Sequence, residues 1–258
     1  MKRGIKEFVD ALMDAVNKEM KQLNDFGVLI PVDPHNLSSG SKAAVLKYLM
    51  FLNMKQDVRV KGRGYTDGRY QRAYTHKDES ISTTVATKSL MISCVIDAVE
   101  QRAVSNVDIP GAFLQADMDK LVCIKFEGLM AELLSKIDPK FYEKYMVIER
   151  GHTVLYASIA HPLHGTLQVS LLLWRKLTGI LAENGYNINP YDRCVYNKGV
   201  NGSQCTVLWH VGDLKLSHLT DNVITAEVKN MNKVFSRKDA PLNVCCGKIH
   251  DYLGMNLD

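Results

Sequence analysis

Two aspartates close short apolar runs in this chain. Asp213 follows Thr206-Val-Leu-Trp-His-Val-Gly212, which reads as a strand and a tight turn at Val211-Gly212; a second short strand then runs from the acid to Leu216. Asp108 ends a similar run, in Asn106-Val-Asp-Ile-Pro-Gly-Ala-Phe113. Carboxylates that converge at neighbouring strand ends hold hard divalent cations through their oxygens. Two such cations about 4 Å apart form the clamp used for in-line phosphoryl transfer. Taken singly, an aspartate at a strand end is an ordinary turn former.

A second set of residues carries charge. From Lys55 to Lys77, seven basic residues (55, 59, 61, 63, 69, 72 and 77) stand against Asp57 and Asp67, a local +5 beside +4 for the whole chain. Such a stripe suits a polyanion, either nucleic acid or a nucleoside triphosphate; a solvated strand-rich surface is the plainer reading. Gly62, Gly64 and Gly68 within it indicate a hairpin region rather than a helix.

The elements that must position these groups follow from apolar spacing. Residues 4–26 have helical periodicity closed by Gly27, and an extended stretch, 28–33, comes next. A helix is expected over 82–102, burying Val85, Leu90, Met91, Cys94, Val95, Ala98 and Val99, before the strand 104–109. A helix over 167–181 ends by Gly185. Strands 193–197 and 205–210 flank a hairpin-type loop, 198–203. A helix over 222–236, capped by Thr220 or Asp221, precedes a strand-like end, 249–257. The stretch 129–149 carries no clear period. This order gives an α+β chain, with an antiparallel sheet and helices packed on one face.

At 258 residues and 46% hydrophobic, the chain can bury a sizeable core in one domain or two packed lobes. No window is apolar enough for a membrane span, and the N-terminus lacks the apolar core of a signal peptide. The six cysteines (94, 123, 194, 205, 245, 246) have neither disulfide-framework nor zinc-site spacing, even with His250 beside the last pair, and are expected as buried thiols.

Several motifs occur in an order that resembles one family. They are Glu19-Met-Lys-Gln-Leu23 with the strand after it, Lys61-Gly-Arg63-Gly, and Val107-Asp-Ile-Pro-Gly-Ala-Phe-Leu-Gln-Ala-Asp117. Leu163-His-Gly-Thr-Leu-Gln168 with Trp174, Tyr191-Asp-Arg-Cys-Val-Tyr196 and Tyr252-Leu-Gly-Met255 complete the set. Over nearly its whole length the chain is similar to the reverse transcriptase domain of copia-type LTR retrotransposons. The resemblance implies an RNA-directed DNA polymerase domain from a retrotransposon polyprotein, with two-metal nucleotidyl transfer on Mg2+ or Mn2+. It implies a polymerase palm-and-fingers fold, with a fingers-like part over 1–80, a palm-like part over 81–258 and a thumb absent or truncated. The implied partners are RNA or DNA primer-template and deoxynucleoside triphosphates, in an intracellular, cytoplasmic setting or within a virus-like particle.

By the same resemblance, Asp108 and Asp213 are catalytic metal ligands. Lys61 and Arg63 steady the triphosphate, Phe113 gates the sugar 2′ position, and Gly165 and Gln168 line the template and nucleotide side. Gly212 departs from the pattern, because the family's turn carries a second carboxylate there. Losing a bridging ligand weakens metal binding and misplaces the 3′-hydroxyl. His210 and His164 replace tyrosines, which are milder changes. Asp117, Asp119, Asp97 and Glu100 offer no evident substitute. Three readings stay open: an impaired polymerase, a catalytically inactive nucleic-acid-binding remnant of the same fold, and an unrelated α+β binding module. Position 212 separates the first two.

Overall fold

The computed structural model describes residues 2–54, 59–73, 75–76, 82–237, 240–247, 250–252 and 255–257. Lys55, Asp57, Lys77, Leu253 and Gly254, which figure in the motifs and charge stripe above, lie outside the described residues, as does the side chain of His250. In chain order, the first elements are α1 (Lys2–Asp25), β1 (Leu29–Pro31), α2 (Ser39–Ala43), β2 (Leu46–Met54) and β3 (Val60–Thr66). Next come α3 (Thr87–Glu100), β4 (Ala103–Asp108), β5 (Cys123–Glu127), α4 (Leu129–Ile137), α5 (Pro139–Tyr142), β6 (Val147–Glu149) and β7 (His152–Ile159). The remainder are α6 (Val169–Glu183), β8 (Asn187–Ile188), β9 (Val195–Val200), β10 (Ser203–His210), β11 (Asp213–His218), α7 (Asp221–Phe235), β12 (Asn243–Cys246), β13 (His250–Tyr252) and β14 (Met255–Leu257).

These elements form two units. The first comprises residues 1–80 and 116–172, and the second residues 81–115 and 173–258. Residues 116–172 thus join the first eighty, where the sequence reading grouped them with the second part. The cause is pairing: β5 adds in parallel to β2, while β7 pairs with both β5 and β1. The first unit's sheet runs β1-β7-β5-β2-β3, with β6 also on β7. One parallel ladder makes it mixed rather than antiparallel.

Helix α1 meets this sheet with Val16, Met20 and Leu23 buried. Gly62 on β3 permits the contact, since a Cβ there would stand 2.7 Å from the Ala15 carbonyl oxygen. Gly27 ends α1 as expected. It adopts φ 63°, and Gly27 N–H and Val28 N–H bond back to Asn24 and Leu23, the paired bonds of a Schellman stop.

The second unit holds an antiparallel sheet, β12-β4-β11-β10-β9-β8. The turn between β9 and β10 is only Asn201-Gly202, both left-handed at φ 51° and 79°. Asn-Gly is the residue pair that such a two-residue hairpin favours, so the strands extend into the stretch 198–203, which is expected as a loop from the sequence. Helices cover both faces of this sheet rather than one. Tyr196 and Lys198 bond to Thr178 of α6 and Glu227 of α7. Lys215 lies on the opposite face by strand alternation, and its ammonium bonds to Ser93 and Asp97 of α3.

That contact explains a second departure. On α3, Leu90, Ser93 and Asp97 are buried, while Met91, Val95 and Val99, expected inside, are 41%, 62% and 78% exposed. Lys215 is 2% exposed, and a buried ammonium requires charged and polar partners. Ser93 and Asp97, one helical turn apart, therefore face inward, which turns the apolar side of α3 outward.

The cysteines also divide. All six are free; Cys194 and Cys205 are buried, Cys94 and Cys123 half-buried, and Cys245 and Cys246 exposed. The last two were expected inside, but they sit on β12, the edge strand of its sheet. Between 129 and 149, where no period was legible, the chain forms α4, α5 and β6 in short succession.

Asp97→Ala strands the Lys215 ammonium and is expected to lower the unfolding free energy by about 3–5 kcal/mol in urea titration. Replacing both partners, Asp97→Leu with Lys215→Met, should recover most of that loss. A double variant as unstable as the single one would contradict a buried ion pair here.

Candidate functional site

The β10–β11 hairpin turns on Val211 and Gly212, with His210 opposite Asp213. Trp209, 1% exposed, anchors the turn by donating its indole N–H to the Val211 carbonyl. Val211 is held at φ 58°, a region that a β-branched residue rarely enters. Gly212 is not left-handed, so the residue tolerant of that conformation sits one place too late. The hairpin therefore carries backbone strain at the point where it presents Asp213.

Strand β4 lies on the other side of β11, with Asp108 directly opposite Asp213. Ile109 N–H donates to the Gly212 carbonyl at 2.9 Å. Narrow and wide pairs alternate in an antiparallel ladder, so Asp108 and Asp213 form a pair without mutual backbone bonds. In such a pair the Cα atoms are about 4.5 Å apart and the side chains lie closest. Sequence-distant acids are thus brought onto one face of the sheet.

The two oxygens of Asp108 differ in their surroundings. Oδ2 accepts a 2.9 Å bond from the Asn243 side-chain amide, and Asn243 is itself opposite Asp108 on β12. Oδ1 lies on the Gly212 side, 3.9 Å from where a Cβ at 212 would stand. A side chain at 212 would also meet the Ala112 Cβ at 3.2 Å, a contact relieved by a shift of a few tenths of an ångström. Tyr252, 2% exposed, donates its hydroxyl to the Asp213 carbonyl at 3.4 Å, and burial raises its pKa. Asp108, Asp213, Asn243, Cys245 and Tyr252 all line one cleft.

This donor set fits a hard cation in part. Two carboxylates on adjacent strands offer oxygens, but glycine at 212 adds none from a side chain. Among the described residues, no group of three or more His, Cys, Asp or Glu is gathered closely enough to hold a metal ion. The residues therefore match one weakly held ion better than a bridged pair. Phe113, half-buried, lies on the turn Ala112–Gln115 that follows Asp108. Asp117 and Asp119 are exposed.

The remaining expected site residues belong to the first unit. On β3, Lys61 and Arg63 are exposed and alternate with buried Gly62 and Gly64. Gly64 N–H donates to the Glu19 carboxylate at 2.8 Å; burial pushes that carboxyl up, against the opposing pull of the same N–H, Lys61 and Arg63. The loop after β7 meets the end of β3. Thr66 N–H donates to the His164 carbonyl at 2.7 Å, and the Tyr65 and His164 rings lie 5.3 Å apart. Burial, then Arg63 and Lys61, hold the His164 imidazole below its ordinary 6.5.

Gly165 has φ 91°, and a Cβ there would strike the Thr66 carbonyl oxygen at 2.0 Å. Its glycine character is therefore required by chain packing, while Gln168 is 4% exposed. The site residues thus form two groups: Asp108, Phe113, Gly212 and Asp213 in one unit, and Lys61, Arg63, Gly165 and Gln168 in the other. Asn243 went unnoticed in the sequence. It contacts an acid 135 residues away, and nothing in its neighbourhood, Pro241-Leu-Asn-Val244, marks it for that contact.

Val211→Gly should raise the unfolding free energy by about 1 kcal/mol, because it removes left-handed strain worth about 1–3 kcal/mol and adds some backbone entropy cost. A loss of stability would contradict the strained turn. For His164 the folded pKa lies below the unfolded one, so the unfolded chain binds the proton first. The contribution of neutral His164 is complete above about pH 6.5 and is lost as pH falls through the folded value. His164→Gln should flatten that part of the stability–pH profile; an unchanged slope below neutrality would refute the burial of a neutral imidazole.

No family model matches the chain, and no curated protein matches it. Among solved structures, telomerase from Candida albicans, in complex with a fragment of telomeric RNA, is similar at TM-score 0.46 and 9% identity, covering 89% of this chain and 47% of that one. The prototype foamy virus protease–reverse transcriptase, as a mutant, is similar at TM-score 0.39 and 17% identity, covering 91% and 24%. The foamy viral protease–reverse transcriptase in complex with double-stranded DNA gives TM-score 0.42 and 15% identity, covering 91% and 31%. The chain spans less than half the length of each. All three TM-scores lie below 0.5.

Proposed function

We propose that this chain is a reverse-transcriptase-type, RNA-directed DNA polymerase domain whose nucleotidyl transfer is impaired at position 212. The observation that carries the reading is the placement of Asp108 opposite Asp213, with Oδ1 of Asp108 turned toward Gly212. The ordered motifs of the sequence supply the polymerase part of the reading. The position expected to carry a second acid is adjacent to Asp108 and bears no side chain.

In this reading Asp108 and Asp213 hold Mg2+ or Mn2+. When bound, such an ion supplies an activated primer hydroxyl and neutralises charge developing on the phosphoryl oxygens. The other roles belong to the chain. Lys61 and Arg63 attract and steady the triphosphate of a deoxynucleotide and the backbone of a primer-template. Phe113, on the turn beyond Asp108, presses on the sugar at its 2′ position. Gly165 and Gln168 shape the loop packed against the end of β3. Without an oxygen at 212, the reacting groups are held less well, and small misplacements cost orders of magnitude in rate.

The alternative is an inactive nucleic-acid-binding remnant, which the empty position at 212 favours directly. Both readings share binding, so anisotropy with a fluorescent primer-template tests them together. The observed affinity should fall steeply with salt, and Lys61→Ala with Arg63→Ala should reduce the logarithmic slope by about 1.5–2. Absence of binding would remove both readings. Primer extension on an RNA template with Mn2+ separates them: slow extension lost in Asp108→Asn supports the impaired enzyme, and no extension supports the remnant.

A further inference from the structure

We infer that Asn243 is a positioning residue for Asp108, one that restricts its carboxylate to ligating a cation through a single oxygen. The inference rests on the metal-site reading above and adds the ion preference of that site. Asn243 is opposite Asp108 across the β4–β12 ladder, and its amide donates to Oδ2 at 2.9 Å. Oδ1 is left on the side of Gly212. One oxygen is thus committed to a neutral donor, and the other faces the position where a second acid would share an ion.

The chemistry of the donor matters. A carboxamide carries no charge, so it neither repels a cation, as an ammonium would, nor competes for it, as a third carboxylate would. Its hydrogen bond also fixes the plane of the carboxylate, as outer partners do at metal sites, where losing one typically weakens binding 10–100-fold. A carboxylate limited to one oxygen suits Mg2+ and Mn2+, which take octahedral ligation from single oxygens. Ca2+ accepts more ligands and often binds both oxygens of a carboxylate. Asn243 therefore favours the smaller ions at Asp108.

The test uses Mn2+ binding followed by electron paramagnetic resonance, with Ca2+ as competitor. It is run on the full chain and on a Gly212→Asp background. Asn243→Leu, which keeps the shape and removes the donor, should weaken Mn2+ about tenfold without weakening Ca2+. The ratio of Mn2+ to Ca2+ affinity then falls about tenfold. Asn243→Gln retains a carboxamide and should restore much of that ratio. A purely structural role would weaken both ions in parallel, and either a parallel loss or an unchanged ratio overturns the inference. Asp108→Asn distinguishes the two levels of failure. If it leaves Mn2+ affinity unaltered in both backgrounds, the metal-site reading itself fails. If it weakens Mn2+ while Asn243→Leu leaves the ion ratio intact, only the role of Asn243 fails.

Discussion

The register between β4 and β11 governs everything this chain can do at its candidate site. A slip of one residue would move one aspartate to the far face of the sheet and leave the other alone. The register is secured on both sides of the pair. Ile109 bonds to the Gly212 carbonyl at the open end. Two pairs further in, Lys215 reaches down from the face that carries Asp213 to Ser93 and Asp97 of α3. A slipped β11 would bring that ammonium away from its partners, at a cost of several kcal/mol. The buried ion pair is thus the device that specifies one alignment, and the apolar flank of α3 is left in solvent as its consequence.

Much of this arrangement was legible in the sequence. Apolar spacing and the glycine stops gave α1, α6 and α7 nearly at their observed limits, and Asp108 and Asp213 stood out as acids at strand ends. The apolar pattern of α3 misled because periodicity reports where apolar residues recur, not which side a helix buries. Only the partner on β11, more than a hundred residues later, decides that Ser93 and Asp97 turn inward. The mixed character of the first sheet was hidden for a similar reason. A parallel pairing such as β2 with β5 leaves no local turn signal between its strands.

The site itself shows the same division. Motif order marked Gly212 as a departure, but not what surrounds it. The structure adds that its backbone lies outside the left-handed region and that a side chain there would approach Asp108 with a modest displacement of Ala112. Glycine is therefore not demanded by the conformation of the turn at 212. Val211, where left-handed geometry occurs, is the position glycine would suit. Gly165 is the contrasting case, since both its φ and its contact with Thr66 exclude a side chain. One glycine is required by packing, and the other is not.

That contrast leads to a direct measurement: single-turnover addition of one deoxynucleotide to a primer on an RNA template, comparing the native chain with Gly212→Asp. The account predicts that the variant folds and adds the nucleotide at least about a hundredfold faster, because the restored carboxylate lies beside Oδ1 of Asp108 and repairs alignment of the reacting groups. Equal rates in the two proteins, with the variant folded and bound to primer-template, would contradict the claim that position 212 limits the chemistry.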